Sequence, residues 1–478
     1  MSETDIAVVG AGVAGLSAAA AIHAAGLRCE LLEATARIGG RAYTDMLAGT
    51  PFDHGASWLH AAARNPLTAV ARSHGERLID SDAGWTSRMS DAEAFAYDAA
   101  EESFANRLAA AGPDSSVAAV VDALAGDPWI ATVEAFEATL IAAADSRDLS
   151  ARDCRANGLE AGNLNIAGGL GAFVARRLAQ PARLATPVRR IAWGGRGVAL
   201  ETPSGTLRAR ACIVTVSTGV LRAGGIAFAP ELPDGHRAAL DGLPMGLLTK
   251  VALAAAGPDR LGLPEQCSVT QRLRERHAPW MSFIAWPTGD AQVIGFVGGS
   301  TAWALAREGP AATEAFARQR WADAMGHAAG SMLAAAVVTG WATDPAYLGA
   351  YAYARPGHAD ARAALREGLA GGRLSFAGEA VAQDGLAGTV GGAWNSGAEA
   401  ARTAIAALAA RAPPWRPRRA CCGRPASSGC GSPAACPTRC CGWRCWQRRC
   451  SPCRSPGPAS PWPWYRRRAA CRCWRPGR

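Results

Sequence analysis

The segment DIAVVGAGVAG, residues 5–15, decides the fold of the first part of the chain. Residues 5–10 form a short apolar run that stops at a glycine, as a buried parallel strand does. An Ala-rich stretch follows and closes at Gly26, which predicts a helix with a glycine at its C-terminal end. Residues 28–33, RCELLE, then read as a second strand. The chain is therefore predicted to open with a βαβ unit.

The glycines of this unit suggest a nucleotide site. Gly10, Gly12 and Gly15 stand in the spacing G-x-G-x-x-G between the strand and the helix. Glycines there permit a tight turn and bring a pyrophosphate close to the helix N-terminus, where free N–H groups favour an anion. Glu33 lies about 20 residues further on and would accept hydrogen bonds from ribose hydroxyls. The alternative is an ordinary glycine turn, and the spacing alone does not separate NAD from FAD.

Charge is distributed unevenly along the 478 residues, a length that suggests two to three domains. The whole chain carries 50 basic and 40 acidic residues, a net charge of +10. Residues 413–478 hold 15 of the arginines and no lysine, aspartate or glutamate. The remaining body has 35 basic against 40 acidic residues, a net charge of −5. No nucleic acid partner is therefore expected for the body.

The stretch 413–478 differs from the body in composition as well as in charge. Eleven of the 15 cysteines lie between Cys421 and Cys473, and no Val, Leu, Ile, Met, Phe, Asp or Glu occurs between Arg416 and Arg478. Such a segment cannot build a core, so we expect a disordered tail or the product of a shifted reading frame. Its cysteine spacings match no zinc pattern and it contains no histidine, so no metal site is predicted. A basic tail that binds nucleic acid through Arg and Trp is the alternative function of another class.

The body carries no feature that suggests export or membrane insertion. Its start, MSETDIAVVGAG, enters a strand pattern without a basic or apolar leader. No run of 18 or more residues stays apolar, and only Cys29, Cys154, Cys212 and Cys267 occur before the tail. A cytoplasmic protein without a membrane partner is expected.

Four blocks of sequence resemble the flavin-containing amine oxidase family, of the monoamine and polyamine oxidase type. They are EATARIGGRAYTD at 33–45, FDHGASWLHAAARNP at 52–66, LPMGLLTKVAL at 243–253 and LSFAGEAVAQDGLAGTVGGAWNSG at 374–397. PVRRI near Val188 and WATDP leading to GAYAYARPG add to the resemblance, which spans the body. The family implies FAD, an amine substrate and O₂ as the partners of this chain.

The resemblance implies an α/β fold in which a discontinuous Rossmann-type FAD-binding domain carries an inserted α+β substrate-binding domain. Helical patterns dominate between residues 76 and 160, and strand-like segments return after them. The expected FAD-binding parts are 1–75, 161–250 and 346–412, and the expected parts of the substrate domain are 76–160 and 251–345.

The resemblance also implies roles for individual residues. Gly39, Gly40 and Arg41 would contact the diphosphate and flavin, and Val188 would hold the adenine through its backbone. Glu379 would contact the ribityl and phosphate part. The full set of expected cofactor residues is Gly10, Gly12, Ala14, Gly15, Glu33, Gly39, Gly40, Arg41, Ala56, Ser57, Trp58, Val188, Gly378, Glu379, Thr389 and Val390.

Lys250 is the only lysine among 478 residues, whereas arginine occurs 49 times. In LLTKVAL both strand faces are otherwise apolar, so the ammonium group is expected to point into a cavity. A buried lysine shifts its pKa readily and can donate to a single water, which the forked arginine cannot imitate. A stray surface lysine is the alternative. In the family, the matching lysine holds a water against flavin N5, and Lys250 is assigned that catalytic role.

Departures from the family pattern refine the subclass. Ala350 stands where mitochondrial monoamine oxidases carry the cysteine bonded to flavin, so noncovalent FAD is expected. Tyr351 keeps one wall of the aromatic cage, and Thr389 replaces the tyrosine of the other, as in polyamine oxidases. His60 matches a histidine beside the substrate channel of animal-type polyamine oxidases. Tyr351, Thr389 and His60 are thus the expected substrate residues, Tyr351 is also expected to act in catalysis beside Lys250, and the pocket favours polyamines.

The expected reaction is oxidation of an amine to an imine that hydrolyses to an aldehyde, with O₂ reduced to hydrogen peroxide. An L-amino acid oxidase or another flavin oxidoreductase of the same superfamily is the alternative. Such an amino acid oxidase would need an arginine for the substrate carboxylate, which the sequence does not place.

Overall fold

The computed structural model describes residues 3–81, 86–159, 162–255, 260–383 and 385–410. The expectation that residues 413–478 form a disordered or spurious tail lies outside these ranges. The strands are β1 (Glu3–Val9), β2 (Cys29–Leu32), β3 (Thr44–Leu47), β4 (Thr50–Asp53), β5 (Trp58–Leu59), β6 (Leu78–Asp80), β7 (Thr86–Ser87), β8 (Leu164–Ile166), β9 (Arg190–Ala192), β10 (Val198–Thr202), β11 (Gly205–Val214), β12 (Ala227–Ala229), β13 (Met245–Gly246), β14 (Leu248–Ala255), β15 (Cys267–Val269), β16 (Ser282–Ala285), β17 (Gln292–Gly298), β18 (Leu333–Val338), β19 (Tyr351–Ala352) and β20 (Leu374–Phe376).

The helices alternate with these strands, and a π-helix spans Ala135–Ile141. Short 3₁₀ segments cover Arg260–Gly262 and Glu379–Val381. The α-helices are α1 (Val13–Ala24), α2 (Pro66–Ser73), α3 (Asp91–Ala109), α4 (Val117–Asp122), α5 (Ile130–Glu134), α6 (Ala151–Ala156), α7 (Leu170–Arg177), α8 (Thr218–Arg222), α9 (Asp234–Gly242), α10 (Gly299–Glu308), α11 (Pro310–Met325), α12 (His327–Gly330), α13 (Ala361–Arg366) and α14 (Val390–Ala410).

The predicted βαβ unit is present at the start of the chain. Strand β1 pairs in parallel with β2, with Val9 opposite Leu32, and in parallel with β11, with Val9 opposite Val214. Helix α1 connects β1 to β2 and is followed by Gly26 in the left-handed region, at φ 72°. Parallel strands present their carboxyl ends at one edge of a sheet, and ligands of such folds bind beyond that edge. The cofactor glycines lie at this edge because β1 ends directly before them.

These strands belong to a seven-stranded sheet with the order β12-β9-β10-β11-β1-β2, in which β20 also pairs with β11. The long strand β11 pairs with antiparallel β10 near its start and with parallel β20 near its end. The end of β20 thus lies beside the ends of β1 and β11. This pairing brings the last motif of the chain to the edge where the first motif lies.

Helices α1 and α14 pack together on one face of this sheet. Leu16 and Ile22 of α1 are fully buried there, and each such side chain stabilises the fold by about 1.5–3 kcal/mol. The two helices approach so closely that a β-carbon at Gly397 would lie 2.0 Å from the carbonyl oxygen of Ala14. The close contact holds the N-terminal ends of both helices near the same sheet edge.

The second main sheet has six strands in the order β18-β14-β17-β16-β15-β7. Its strands β14 and β17 contain the predicted segments LLTKVAL and QVIGFVGG, and α10 and α11 pack against them. Helices α3 to α6 and the π-helix occupy the stretch that was expected to be helical, and they form a separate hydrophobic cluster. The structure confirms the predicted fold class, a Rossmann-type domain with an α+β insertion, while the boundaries drawn at residues 75, 160, 250 and 345 stay predictions.

No helix in the described ranges has both the length and the apolar character that crossing a bilayer requires.

Candidate active site

A cavity of about 1470 Å³ lies between the carboxyl edge of the seven-stranded sheet, the six-stranded sheet and the helical region. The expected site residues come to it from all parts of the body, and Gly15 alone among them does not line it. The expected residues on its wall are Gly10, Gly12, Ala14, Glu33, Gly39, Gly40, Arg41, Ala56, Ser57, Trp58, His60, Val188, Lys250, Tyr351, Gly378, Glu379, Thr389 and Val390.

The glycine turn after β1 has the shape that a pyrophosphate site requires. Gly10 has φ 101°, a conformation that glycine adopts at little cost. A β-carbon at Gly15 would lie 1.8 Å from the carbonyl oxygen of Gly10, so only glycine lets α1 start this close to the strand. Helix α1 begins after Gly12 without a side-chain cap, which leaves its first N–H groups available to an anion in the cavity.

Glu33 is buried at the end of β2 and its carboxylate is oriented by the protein. One oxygen, Oε2, accepts a hydrogen bond from the amide of Ala11 at 2.7 Å. The other, Oε1, accepts from the amide and hydroxyl of Thr35 at 2.9 and 2.8 Å. Each carboxylate oxygen has a further lone pair, so Glu33 can also accept from a ribose hydroxyl. That contact stays a prediction.

The second glycine motif packs directly against the first. The amide of Gly39 donates to the carbonyl oxygen of Ala11 at 2.8 Å. A β-carbon at Gly40 would lie 3.1 Å from the Cα of Gly12, so a side chain there would crowd the first turn. These backbone contacts, with an uncapped helix start and an oriented acid, form a cradle that fits a dinucleotide.

Arg41 and Glu379 form an ion pair that joins the second motif to the last one. The guanidinium Nη1 lies 3.0 Å from Oε1 of Glu379 and 2.6 Å from the carbonyl oxygen of Ala350. The amide of Ala352 donates to the same carboxylate at 3.2 Å. The expected contacts of Arg41 with the diphosphate and of Glu379 with the ribityl chain remain predictions. The structure adds that each residue holds the other in place at the cavity wall.

Lys250 lies on β14 at the cavity wall, and only 3% of its surface is exposed. Its Nζ donates to the carbonyl oxygens of Asp53 and Gly55 at 3.1 and 2.5 Å and to Oγ of Ser57 at 2.6 Å. The same nitrogen lies 5.4 Å from the centre of the Trp58 ring. Burial lowers the pKa of Lys250 from 10.5 to about 8, although the Asp53 carboxylate opposes this shift. Lys250 therefore loses its proton and becomes a neutral amine at mildly alkaline pH.

The loop from Asp53 to Trp58 positions these partners of Lys250. The amide of Ala56 donates to the carbonyl oxygen of Arg41 at 3.1 Å, and the side-chain amide of Asn165 donates to the carbonyl oxygen of Ser57 at 2.9 Å. The loop is thus tied to both neighbouring segments. Its geometry places the lysine, the serine hydroxyl and the indole on one wall of the cavity.

His60 is part of the same wall. Its ring stacks on Trp58 with centres 6.0 Å apart, and its Nδ1 forms a hydrogen bond of 2.7 Å with Oδ1 of Asn163. The expected place beside the substrate is compatible with this position in the cavity.

Tyr351 and Thr389 line the cavity with their hydroxyl groups engaged by the protein. The Tyr351 hydroxyl donates to the carbonyl oxygens of Leu140 and Ile141 at 3.1 and 3.0 Å, and burial raises the pKa of this phenol. The Thr389 hydroxyl donates to Leu386 at 2.8 Å and accepts from the amide of Gly392 at 3.0 Å. Thr389 thus acts as the N-terminal cap of α14. The sequence comparison predicted only that it lies near the flavin.

The structure also identifies residues that the sequence interpretation missed. Arg37 donates to the carbonyl oxygen of Gly40 at 2.7 Å and stacks over the Tyr43 ring at 4.2 Å, so it supports the second glycine turn. Asp53 accepts from the amides of Leu170 and Gly171 at the start of α7. Arg37 lies in the block 33–45 and Asp53 in the block 52–66. Their place in these blocks was the sequence signal that could have identified them. Among the described residues, no group of three or more His, Cys, Asp or Glu could hold a metal ion.

The Rossmann-type sheet, the glycine cradle and the large cavity are together typical of a dinucleotide-binding oxidoreductase. Residues 82–405 match the family described as flavin containing amine oxidoreductase, and residues 8–73 match the NAD(P)-binding Rossmann-like domain. The chain belongs to the flavin containing amine oxidoreductase family and is an amine-acting oxidoreductase, near the polyamine oxidases. Membership of this family implies a flavin cofactor.

Comparison with known proteins supports the same placement. Polyamine oxidase 4 of Oryza sativa subsp. japonica is 27% identical over 465 residues, covering 84% of this chain and 88% of that protein. Probable polyamine oxidase 4 of Arabidopsis thaliana is 27% identical over 416 residues, covering 73% of this chain and 77% of that protein. The structure of wild-type putrescine oxidase bound to putrescine has a TM-score of 0.67 at 20% identity, over 85% of this chain and 99% of that one. The last likeness supports the fold alone.

Proposed function

We propose that the protein is an FAD-dependent amine oxidase that acts on polyamines or related amines. The observation that carries the proposal is the single lysine of the chain, whose ammonium group lies buried at the cavity wall beside Trp58 and Ser57. FAD, when bound, would supply two-electron redox chemistry, in which the α-carbon of the amine would lose a hydride equivalent, the amine nitrogen would lose a proton, and O₂ would receive the two electrons and two protons as hydrogen peroxide. Hydrolysis of the resulting imine would release the aldehyde and an amine.

The residues of the chain mainly position and desolvate the reactants. The glycine turns at Gly10 and Gly40 and the start of α1 would hold the dinucleotide, while Trp58 and Tyr351, which both line the cavity, would border the space for the amine. Lys250 would carry a proton next to the reacting centre, and once neutral its lone pair could accept a hydrogen bond from a water. Its three protein acceptors fix the position of Nζ, and its lowered pKa allows it to give up a proton near pH 8.

The arginines of the cavity wall favour amines over amino acids as substrates. Arg41 pairs with Glu379, and Arg362 pairs with Asp153 through two hydrogen bonds of 2.8 Å. Arg189, the other arginine on the wall, is exposed next to Val188 at the expected adenine position. Among the described residues on the wall, no arginine is therefore free to bind a carboxylate near Tyr351, as an L-amino acid oxidase would need.

The test is a peroxide-coupled assay of the purified protein with putrescine, spermidine, spermine, benzylamine and L-amino acids. Peroxide release with at least one amine is expected, and release with amino acids alone would contradict the proposal. Because Ala350 leaves no thiol at the expected attachment position, acid precipitation should free the yellow cofactor into the supernatant. A protein that is colourless and fails to bind added FAD would refute the assignment.

Lys250→Met tests the proposed part of the lysine. The variant should keep FAD and be reduced by substrate without air, but turnover or reoxidation by O₂ should fall by about 10²–10⁴-fold, the usual worth of a positioned proton-transfer group. Stopped-flow absorbance of the flavin separates the two half-reactions, and flavin content controls for folding. Reoxidation at the wild-type rate would remove Lys250 from the oxygen step.

A further inference from the structure

The proton that Lys250 releases near pH 8 needs a path from its buried nitrogen into the cavity. An ammonium group has three N–H bonds, and each of those of Lys250 already has an acceptor in the protein. The acceptors are the carbonyl oxygens of Asp53 and Gly55, at 3.1 and 2.5 Å from Nζ, and Oγ of Ser57, at 2.6 Å. Because a proton leaves along a hydrogen bond, one of these three atoms is its first stop.

Only one of the three acceptors can pass a proton on. A backbone carbonyl oxygen accepts hydrogen bonds but has no proton of its own to release. A serine hydroxyl has one O–H donor and two lone pairs, so it can take a proton on one side while its own proton leaves on the other. Ser57 is therefore the acceptor of the Lys250 ammonium group that can act as a relay.

The hydroxyl proton of Ser57 is available to the cavity. Ser57 lines the cavity wall, and within the described ranges its O–H group has one acceptor, the carbonyl oxygen of Gly55 at 3.5 Å. That distance is long beside the roughly 2.7–2.8 Å of an ordinary O–H···O bond. The same oxygen already accepts from Nζ of Lys250. The hydroxyl group can therefore turn to a better acceptor in the cavity at little cost.

The surroundings of Nζ favour this exit over direct contact with the cavity. The ring centres of Trp58 and Phe296 lie 5.4 and 5.7 Å from Nζ, and only 3% of the surface of Lys250 is exposed. The backbone of Ser57 is held by the side-chain amide of Asn165, which donates to its carbonyl oxygen at 2.9 Å. Oγ is thus kept within reach of both the ammonium group and the cavity.

Two titratable groups of the described chain act on this ammonium group. The Asp53 carboxylate raises the pKa of Lys250 against the effect of burial, and it accepts from the amides of Leu170 and Gly171. Burial, with a smaller contribution from the charge of Lys250, lowers the pKa of His54, so that imidazole is neutral near pH 8. Neither side chain accepts a hydrogen bond from Nζ, whose three acceptors are those given above.

We propose that Ser57 relays one proton between Nζ of Lys250 and the reacting atoms in the cavity. The inference rests on the proposed amine oxidase function and adds a residue to it. In the overall reaction the amine nitrogen loses one proton, and O₂ gains one proton beyond the hydride equivalent. Oγ of Ser57 takes the amine proton as its own proton passes to the neutral lysine, and the reverse transfer delivers the proton to reduced O₂. Both residues end as they began.

The kinetic test needs no amine, because the FAD-loaded full chain is reduced with dithionite and then mixed with O₂. Ser57→Ala should slow reoxidation by about 10²-fold, and Ser57→Thr, which keeps the hydroxyl group, should restore it. Combining Ser57→Ala with Lys250→Met should cost no more than Lys250→Met alone, since residues on one path are not additive. The matched control is Ser103→Ala, at an exposed serine of α3 that does not line the cavity and should not matter.

A titration separates a relay from a serine that only adjusts the lysine. Ser57→Ala removes a hydrogen bond to the charged form, so it should lower the pKa of Lys250 further below its value of about 8. The carbon-13 resonance of Cε measures that pKa in both proteins without any turnover. At a pH below both values Lys250 is protonated in each protein. A relay predicts that the slow reoxidation of Ser57→Ala persists there.

Mixtures of H₂O and D₂O supply a further readout, since two protons move together in a relay. The wild-type reoxidation rate should follow a curve against the deuterium fraction, and Ser57→Ala should lose that curvature. Reoxidation of Ser57→Ala at the wild-type rate, a loss that disappears at low pH, or a straight line for the wild type would overturn the inference. Ser57-dependent reoxidation in a protein that oxidises no amine would refute only the amine oxidase assignment. Amine oxidation with reoxidation independent of Ser57 would refute only the relay.

Discussion

The ionisation of Lys250 is open to direct measurement because the chain contains one lysine. Its ammonium group is buried at the cavity wall, and burial lowers its pKa from 10.5 to about 8. The perturbation is Lys250→Met, which removes the titrating group and keeps an unbranched side chain of similar length. The expected consequence is a change in the way that stability depends on pH.

The magnitude follows from the two pKa values. Between pH 8 and pH 10.5 the unfolded chain still holds the proton on Lys250, whereas the folded chain has released it. The unfolded state then binds more protons, so the free energy of unfolding rises with pH across this window. The difference between the two values corresponds to about 3 kcal/mol. The wild-type protein should gain that amount relative to Lys250→Met as the pH rises through the window.

Two assays check this expectation. Lysine labelled with carbon-13 at Cε yields a single resonance from the whole chain, and its titration should report a pKa near 8 in the FAD-loaded protein. Urea unfolding of both proteins, at several pH values and with the same excess of FAD, yields the difference in free energy. The tyrosines and cysteines titrate in both proteins, so their contributions cancel in the comparison. Lys250→Met leaves the three acceptors of Nζ without their donor. The resulting change in the stability of the variant depends little on pH.

A pKa close to 10.5, or unfolding free energies of the two proteins that run parallel from pH 8 to pH 10.5, would refute the reasoning. Such a result would mean that water or the cofactor solvates the ammonium group as well as bulk solvent does. The lysine could then not give up a proton near pH 8, and it would have no part in proton transfer in the proposed mechanism.

Two further predictions concern the cofactor cradle. Gly15→Ala should abolish FAD retention, because the added β-carbon would lie 1.8 Å from the carbonyl oxygen of Gly10. Gly235→Ala is the control and should retain FAD, because no atom lies within 4 Å of the β-carbon that it adds. Flavin absorbance after gel filtration measures retention in both variants, and retention by both would contradict the close contact. Arg41→Met should destabilise the protein by about 3–5 kcal/mol and weaken FAD binding, because it leaves the Glu379 carboxylate buried without its cation. Adding Glu379→Leu should restore the unfolding temperature without restoring FAD affinity. An unchanged unfolding temperature in Arg41→Met would show that the Arg41–Glu379 ion pair does not stabilise the fold.

Part of the site follows from local sequence because its causes are local. Gly10, Gly12 and Gly15 permit a turn that other residues cannot make, and the apolar run before them and the Ala-rich run after them specify strand and helix. The same holds for LLTKVAL, where an apolar pattern on both faces predicted the burial of Lys250. The structure agrees in each case, with β1, α1 and β14 at the expected positions.

Other features depend on residues far apart in the chain. Arg41 pairs with Glu379, and Nζ of Lys250 binds the backbone of Asp53 and Gly55, so the identity of each partner is decided by which strands adjoin in the sheets. A sequence pattern reports whether a side chain is buried, but not which atoms surround it.

The sequence by itself thus determined the βαβ start, the family resemblance and the buried lysine, since these rest on backbone conformation and hydrophobic period. Only the tertiary structure decided that Thr389 caps α14, that Tyr351 is tied to the π-helix, and that Glu137 lines the cavity close to Glu101. The physical reason is that the packing of distant helices, and not the local pattern AFEATLI, determines whether a buried acid meets a cation or another acid.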